Sequence, residues 1–259
     1  VRALVVTAVG AESDSVLAGL TPHPDSPGAE PRTLPGGYLI TRRDLPGIAF
    51  DVLVAGVGPA AAAAGTATAL ALAEPGYGLV VSAGIGGGFV PAAPLGSLVV
   101  ADAIVAADLG AQTPEGFLDV SALGFGHSVH LPPAELAARA AEATGALLAP
   151  VLTVSTVTGT ADGAAGLTAR HPMAGAEAME GFGVAEAAAA HGLPVLEIRA
   201  VSNAVGPRDR AAWRIGGALA ALTEGFHVLG PVIANWGERH EQHREQQRDQ
   251  HRQRRPERR

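Results

Sequence analysis

Cysteine and lysine are both absent from the 259 residues, and each absence removes a class of chemistry. Without cysteine there are no disulfides, no thiolate metal sites and no cysteine nucleophile. The compartment stays open on that count, because a cysteine-free chain is compatible with reducing or oxidising surroundings. Without lysine, no glycine-rich turn can end in the Lys-Ser/Thr pair that reaches nucleotide phosphates and magnesium. Also missing is an apolar run of the roughly 20 residues needed to span a bilayer, since Gly, Pro or charge interrupts every candidate. The opening segment Val1–Val9 lacks a basic run and a small-residue cleavage site, and leads directly into Glu12 and Asp14. It reads as a buried strand rather than a targeting segment. The expectation is a soluble, cytoplasmic protein with no membrane partner.

Hydrophobic residues make up 47% of the chain, enough to bury a sizeable core. The net charge of −7 is unevenly spread: Gly237–Arg259 holds eight arginines against five acids, which leaves the rest of the chain near −10. A body so acidic does not form the clustered positive field that a nucleic acid requires. The last 23 residues alternate Arg, Gln, His and Glu with no apolar face, the composition of a solvated, disordered extension.

Short runs rich in Val and Ile alternate with glycine-rich turns and alanine-rich stretches, the pattern of an α/β domain. Strands are expected at Ala3–Ala8, Val52–Gly56, Leu79–Ala83, Leu98–Val105, Val151–Thr156 and Val195–Val201. Helices are expected at Pro59–Ala73, Pro133–Thr144, Glu177–His191 and Trp213–Leu229. Thr21–Leu45 and Gly110–His130 read as irregular. No repeat of fixed period is present. The division is one α/β domain over residues 1–236 and a charged tail over 237–259.

Gly56-Val-Gly58-Pro-Ala-Ala61 follows a strand and opens a helix, as a dinucleotide fingerprint does. The acid that should end the next strand is missing, because Glu74 precedes that strand and Asp102 lies beyond another turn. A tight strand-to-helix turn remains. Ser82-Ala-Gly84-Ile-Gly86-Gly-Gly88 is a second such turn, suited either to a neutral sugar approaching the backbone or to nothing beyond chain reversal. A Gly-x-Ser-x-Gly elbow is absent, so no acyl-transfer triad is assembled. His127 and His130 do not share a stable helix between Gly126 and Pro132, which argues against metal ligation by that pair. Glu177 and Glu180 open an otherwise apolar helix, where they either complement its positive end or serve a site. Arg199-Ala-Val-Ser-Asn203 ends an apolar strand in polar groups, the position where open α/β sheets place their ligands.

Five segments in order resemble the nucleoside phosphorylase and nucleosidase superfamily: Thr7–Glu12, Gly56–Gly58, Ser82–Gly88, Met179–Glu180 and Arg199–Asn203. The resemblance implies a three-layer sandwich with a central twisted mixed β-sheet flanked by helices. It also implies a homodimer or higher homo-oligomer and a small-molecule purine nucleoside as ligand, for whose cleavage the chemistry requires no cofactor or metal. Residue by residue, it puts Glu12 where a carboxylate activates water. Glu180 falls where the ribose 2′ and 3′ hydroxyls are held, Met179 against the sugar, and Gly84 and Ile85 in the substrate-facing turn. Asn203 takes the base-binding position, where nucleosidases specific for adenine carry an aspartic acid.

Cleaving an N-glycosidic bond creates an oxocarbenium-like sugar, which nearby carboxylates stabilise, and a departing base that needs a donor. An amide at 203 cannot transfer a proton, but it can donate a hydrogen bond to N7 or to a 6-oxo group. Among the superfamily's hydrolases this favours futalosine, which carries hypoxanthine, over methylthioadenosine, and it implies menaquinone biosynthesis. Ile85 stands where a phosphorylase would gain from a hydroxyl, and Leu79–Ala83 has no arginine, so water is the expected nucleophile. Arg208 and Arg210, in a motif also similar to the futalosine-cleaving members, either capture the substrate carboxylate or pair with Asp209 at the surface. Arg42 and Arg43 are alternative carboxylate partners. The competing readings are a nucleosidase or phosphorylase acting on another 6-oxopurine nucleoside or on methylthioadenosine, and a nucleoside-binding protein without catalysis.

Overall fold

In the computed structural model, residues 2–21 and 30–253 are described, with side chains through 240. In β1 (Arg2–Thr7), β4 (Ile48–Val54), β5 (Leu79–Gly88), β6 (Leu98–Ala106) and β12 (Val195–Ala204) most residues are buried, as is the second half of β10 (Leu147–Thr153). Successive side chains of a strand point to opposite faces, so an unbroken apolar run requires a sheet covered on both sides. β1 illustrates this: Ala3 and Val5 enter one core, Leu4 and Val6 the other.

The first core is closed by α1 (Gly10–Gly19), α3 (Ala134–Thr144) and α6 (Ile215–Gln253), the second by α2 (Pro59–Ala71) and α5 (Gly181–Ala190). A smaller cluster lies beneath α4 (Ala161–Arg170). The result is the expected three-layer arrangement.

The sheet also contains β2 (Arg32–Thr33), β3 (Leu39–Leu45), β9 (Val129–His130) and β11 (Ala176–Ala178), while β7 (Gly110–Thr113) and β8 (Gly116–Asp119) form a separate hairpin. Its order is β11-β10-β6-β12-β5-β1-β4-β3-β2. β5, β1 and β4 run parallel, as do β12 with β5 and β10 with β6, whereas β3, β9 and the β12–β6 pair are antiparallel. β11 bonds to β10 and also to the far end of β5, so five strands close on themselves around the ends of β5 and β12.

Several expectations need correction. Thr21–Leu45 is not irregular throughout: β3 forms a hairpin with β4 across Pro46-Gly47, while residues 22–29 lie outside the described residues. The segment at Gly110–His130 contains the β7–β8 hairpin and β9. Glu177 is on a strand and not on the helix, which begins only after Glu180. The boundary at 236 falls inside α6, because Glu, Gln and Arg are good helix formers and the backbone stays helical through Gln253. Residues 254–259 lie outside the described residues. By length and composition Ile215–His240 could cross a membrane. Here its apolar residues Ala218, Leu222, Phe226, Leu229 and Ile233 are buried in the first core.

Candidate active site

The C-terminal ends of β1, β5, β11 and β12 open onto a cavity of about 390 Å³. Glu12, Ile85, Met179, Glu180, Asn203 and Arg208 line it, so six of the seven residues proposed from sequence face one space. Gly84, the seventh, lies behind the wall. A Cβ there would be 2.5 Å from Glu12 Oε1 and 2.8 Å from Arg199 Nη1, so glycine makes room for the charged groups.

Glu12 is the third residue of α1 and turns back over the helix start. Its Oε2 accepts from the N–H groups of Ala8 (2.9 Å) and Val9 (3.3 Å), and Oε1 accepts from Ile85 N–H (2.9 Å). The carboxylate is thus fixed across the ends of two strands. Burial raises its pKa above the ordinary value; Arg199 and the N–H donors to it pull the other way.

Glu180 is the residue immediately before α5. Its Oε1 accepts from Gly58 N–H (3.2 Å), and Oε2 accepts from Met179 N–H (3.3 Å) and Arg199 Nη1 (3.2 Å). Gly58 opens α2 at φ 92°, a conformation that favours glycine, with Pro59 at the first helical position. The glycine-rich fingerprint therefore has a definite task, which is to hold a carboxylate rather than a phosphate.

Arg199 lies beneath both acids and is wholly buried. Its Nε donates to Glu197 Oε1 at 2.9 Å and its Nη2 to Ser82 Oγ at 2.8 Å. One guanidinium thus serves Glu180 and Glu197 directly and Glu12 through its field. Glu197 is also fully buried, and its Oε2 has no partner among the described residues. Burial pushes its pKa up against the lowering effect of Arg199. Three carboxyl groups around one cation leave the site with a surplus of negative character.

A register shift in the β12–β5 pairing between Val201 and Asn203 turns consecutive polar residues toward the cavity. Ser202 Oγ lies 2.9 Å from Asn203 Oδ1, and Asn203 Nδ2 donates to Ala204 O at 3.0 Å. Glu177 and Asn203 both pair with Gly87, one from each side of β5. Glu177, absent from the proposed set, lines the cavity. It accepts from Thr158 N–H (2.8 Å) and from Thr158 Oγ1 (2.5 Å). Burial raises its pKa, and the Thr158 bonds oppose the shift.

The loop after β12 forms the rim. Arg208 lines the cavity with its guanidinium 5.0 Å from the centre of the Trp213 ring, and its N–H donates to Gly159 O at 3.1 Å. Arg210 lies 5.9 Å from the same ring but does not line the cavity. Arg42 and Arg43 sit on β3 and are not lining residues either. Sequence reasoning missed Ser82, Glu197 and Arg199 as part of the machinery. Charged residues inside an apolar strand were the available signal, because they require buried partners.

The phosphorylase superfamily model matches residues 3–222. The futalosine hydrolase of Streptomyces coelicolor is 64% identical over 236 residues, covering 90% of this chain and 97% of that protein. The futalosine hydrolase of Acidothermus cellulolyticus is 47% identical over 247 residues, covering 92% and 93%. Among solved structures, a 5′-methylthioadenosine/S-adenosylhomocysteine nucleosidase from Colwellia psychrerythraea in complex with adenine aligns with TM-score 0.73. It is 23% identical and covers 90% of this chain and 95% of its own. The futalosine hydrolase of Helicobacter pylori aligns with TM-score 0.73 at 17% identity, covering 90% and 97%. The chain belongs to the phosphorylase superfamily and, within it, to the family of the futalosine hydrolases.

Proposed function

We propose that this protein hydrolyses the N-glycosidic bond of futalosine and releases hypoxanthine. The observation that carries the reading is the convergence of Glu12 and Glu180 on one cavity wall above the buried Arg199, with Asn203 beside them. Water attacks the anomeric carbon and gives its proton to Glu12. The bond to N9 breaks, its electron pair leaves with the purine, the resulting anion takes a proton from solvent, and Glu12 returns its own proton to solvent. Positive charge gathering on the sugar is favoured by the surplus of carboxylates around a single guanidinium. Glu180, locked by Gly58, Met179 and Arg199, accepts from the ribose diol and orients the anomeric carbon. Met179 packs against the sugar. The Asn203 amide donates to N7 or to the 6-oxo group as charge develops there.

Water rather than phosphate is supported by the engagement of Arg199. Its donors are directed to Glu197, Glu180 and Ser82, and among the described residues Arg208 on the rim is the arginine that lines the cavity. Arg208, stacked on Trp213, suits the carboxylate at the far end of the substrate. Menaquinone biosynthesis, a cytoplasmic location and a homo-oligomeric state belong to the same proposal.

The test is incubation with futalosine, with and without inorganic phosphate. Hypoxanthine should appear at the same rate in both. No release at high enzyme concentration would sink the proposal, and dependence on phosphate would turn it into a phosphorylase. Glu12→Gln should lower kcat by about 10²–10⁴-fold while substrate still binds. In the native enzyme kcat/KM should rise with pH through a pKa above the ordinary carboxylate range, because the base must be ionised to accept a proton.

A further inference from the structure

Two histidines outside the cavity converge on a single carboxylate oxygen. His127, just before β9, and His130, within it, bring their Nε2 atoms to 3.1 and 2.9 Å from Oε1 of Glu186 on α5. Ligand atoms of the three residues all lie within 4.8 Å of one another. The His130 ring is held from outside the cluster. His130 is 12% exposed with its ring 5.1 Å from that of Phe182, and His127 stands edge-on to His130 at 4.8 Å. Two ring nitrogens and a carboxylate oxygen that converge in this way present the ligand atoms of a single cation on one side.

We propose that His127, His130 and Glu186 bind a first-row divalent transition metal ion, zinc in the first instance. Two imidazoles and one carboxylate form a borderline donor set, unlike the all-oxygen shells preferred by magnesium and calcium. Metal–ligand bonds of about 2.0–2.2 Å in a tetrahedron separate the ligand atoms by roughly 3.4 Å. The two nitrogen–oxygen distances need to open by a few tenths of an ångström, and the widest separation in the set, 4.8 Å, has to close, a movement that the exposed His127 side chain can make. His127 and Glu186 are 61% and 45% exposed, which leaves the solvent side free for a water as fourth ligand. The two histidines were set aside at the sequence level for want of a shared helix. Instead, β9 and the turn before it bring them together, and α5 supplies the third ligand.

A bound ion would tie the segment at β9 to the helix that begins beside Glu180, six residues from Glu186. Its role is a tether, and no step of glycosidic cleavage passes through it. The proposal rests on the cluster alone and stands or falls independently of the proposed reaction.

The experiment titrates the chelator-treated protein with Zn²⁺ by calorimetry and with Co²⁺ by visible absorption, alongside thermal unfolding. A single saturable site is expected, with tetrahedral-type Co²⁺ bands and a rise in Tm on adding Zn²⁺. His127→Ala and Glu186→Gln, both at well-exposed positions, should each weaken binding at least tenfold and remove the rise in Tm. A variant with His240→Ala, His243→Ala and His251→Ala, which removes the histidines of the C-terminal stretch, should bind as the native protein does. Absence of saturable binding would overturn the proposal. So would undiminished affinity in His127→Ala and Glu186→Gln, or loss of the site in the C-terminal variant.

Discussion

Glu177 distinguishes a residue that lines the cavity from one that shapes it. Both of its oxygens are occupied by Thr158, so its first effect is on the wall formed by Val157 and Thr158 and, through Gly159 O, on the loop carrying Arg208. Glu177→Ala should raise KM for futalosine about tenfold with a smaller fall in kcat, and Glu177→Gln, which can still accept from Thr158, should recover most of the loss. Steady-state kinetics on both variants checks this; equal losses in kcat for the two would instead mean that the charge acts in the chemical step. Asn203→Asp makes a sharper prediction, because it restores a group able to protonate N7. The ratio of kcat/KM for hypoxanthine over adenine nucleosides should fall at least tenfold, measured on inosine and adenosine in parallel. Glu12, Glu180 and Asn203 were legible because each stands in a short motif whose order along the chain resembles a known pattern. Arg199 stands within such a motif, but the motif alone assigns it no task. Glu197 stands two residues away on the same strand, but Ser82 and Glu180 come from β5 and the start of α5, and no local spacing records those two.

The start of α5 depends on its fit against α2. A Cβ on Gly183 would lie 2.1 Å from Pro59 O, and one on Gly181 would lie 2.2 Å from Glu197 Oε2. The two helix starts therefore meet backbone to backbone, which is what lets Gly58 N–H reach Glu180. Gly183→Ala must push them apart, at a cost of about 1–3 kcal/mol by the usual penalty for overpacking. Urea unfolding should register that loss, and KM should rise because the ribose clamp spans the displaced junction. Unchanged stability together with unchanged KM would contradict this account. Strands buried on both faces were legible from composition, as were helices marked by Pro at the start or Gly at the end. α4 was missed although Thr160 caps it, its side chain accepting from Gly163 N–H at 3.1 Å, because the helix is short and rich in Gly and Ala. β3 was missed because its alternation is spread over charged residues beside a Pro/Gly-dense segment, and the Pro46-Gly47 turn signal carried too little weight. Ala176–Ala178 has strong helix propensity yet forms β11, since pairing with β10 and β5 outweighs the few tenths of a kcal/mol at stake.

At the scale of the whole molecule, the site imposes an unusual proton balance. Glu12, Glu177 and Glu197 all have pKa values raised in the fold, in each case chiefly by burial. Between the unfolded carboxylate value of about 4.3 and those raised values, the folded protein holds more protons than the unfolded chain. The slope of unfolding free energy against pH is then negative in that window. The contribution of these groups is fully present below the unfolded value and is lost as pH rises through the folded ones. A carboxylate of the ordinary salt-bridged kind, its pKa lowered in the fold, has the opposite sign, its contribution being lost as pH falls. Urea unfolding at intervals from pH 4.5 to 7.5 should therefore give a stability that declines with pH over the lower part of the range. Glu177→Gln, which leaves Arg199 and its partners untouched, should flatten that decline. If stability instead climbed with pH across the window, the field of Arg199 would have overcome burial, and the case for a basic, water-activating Glu12 would weaken with it.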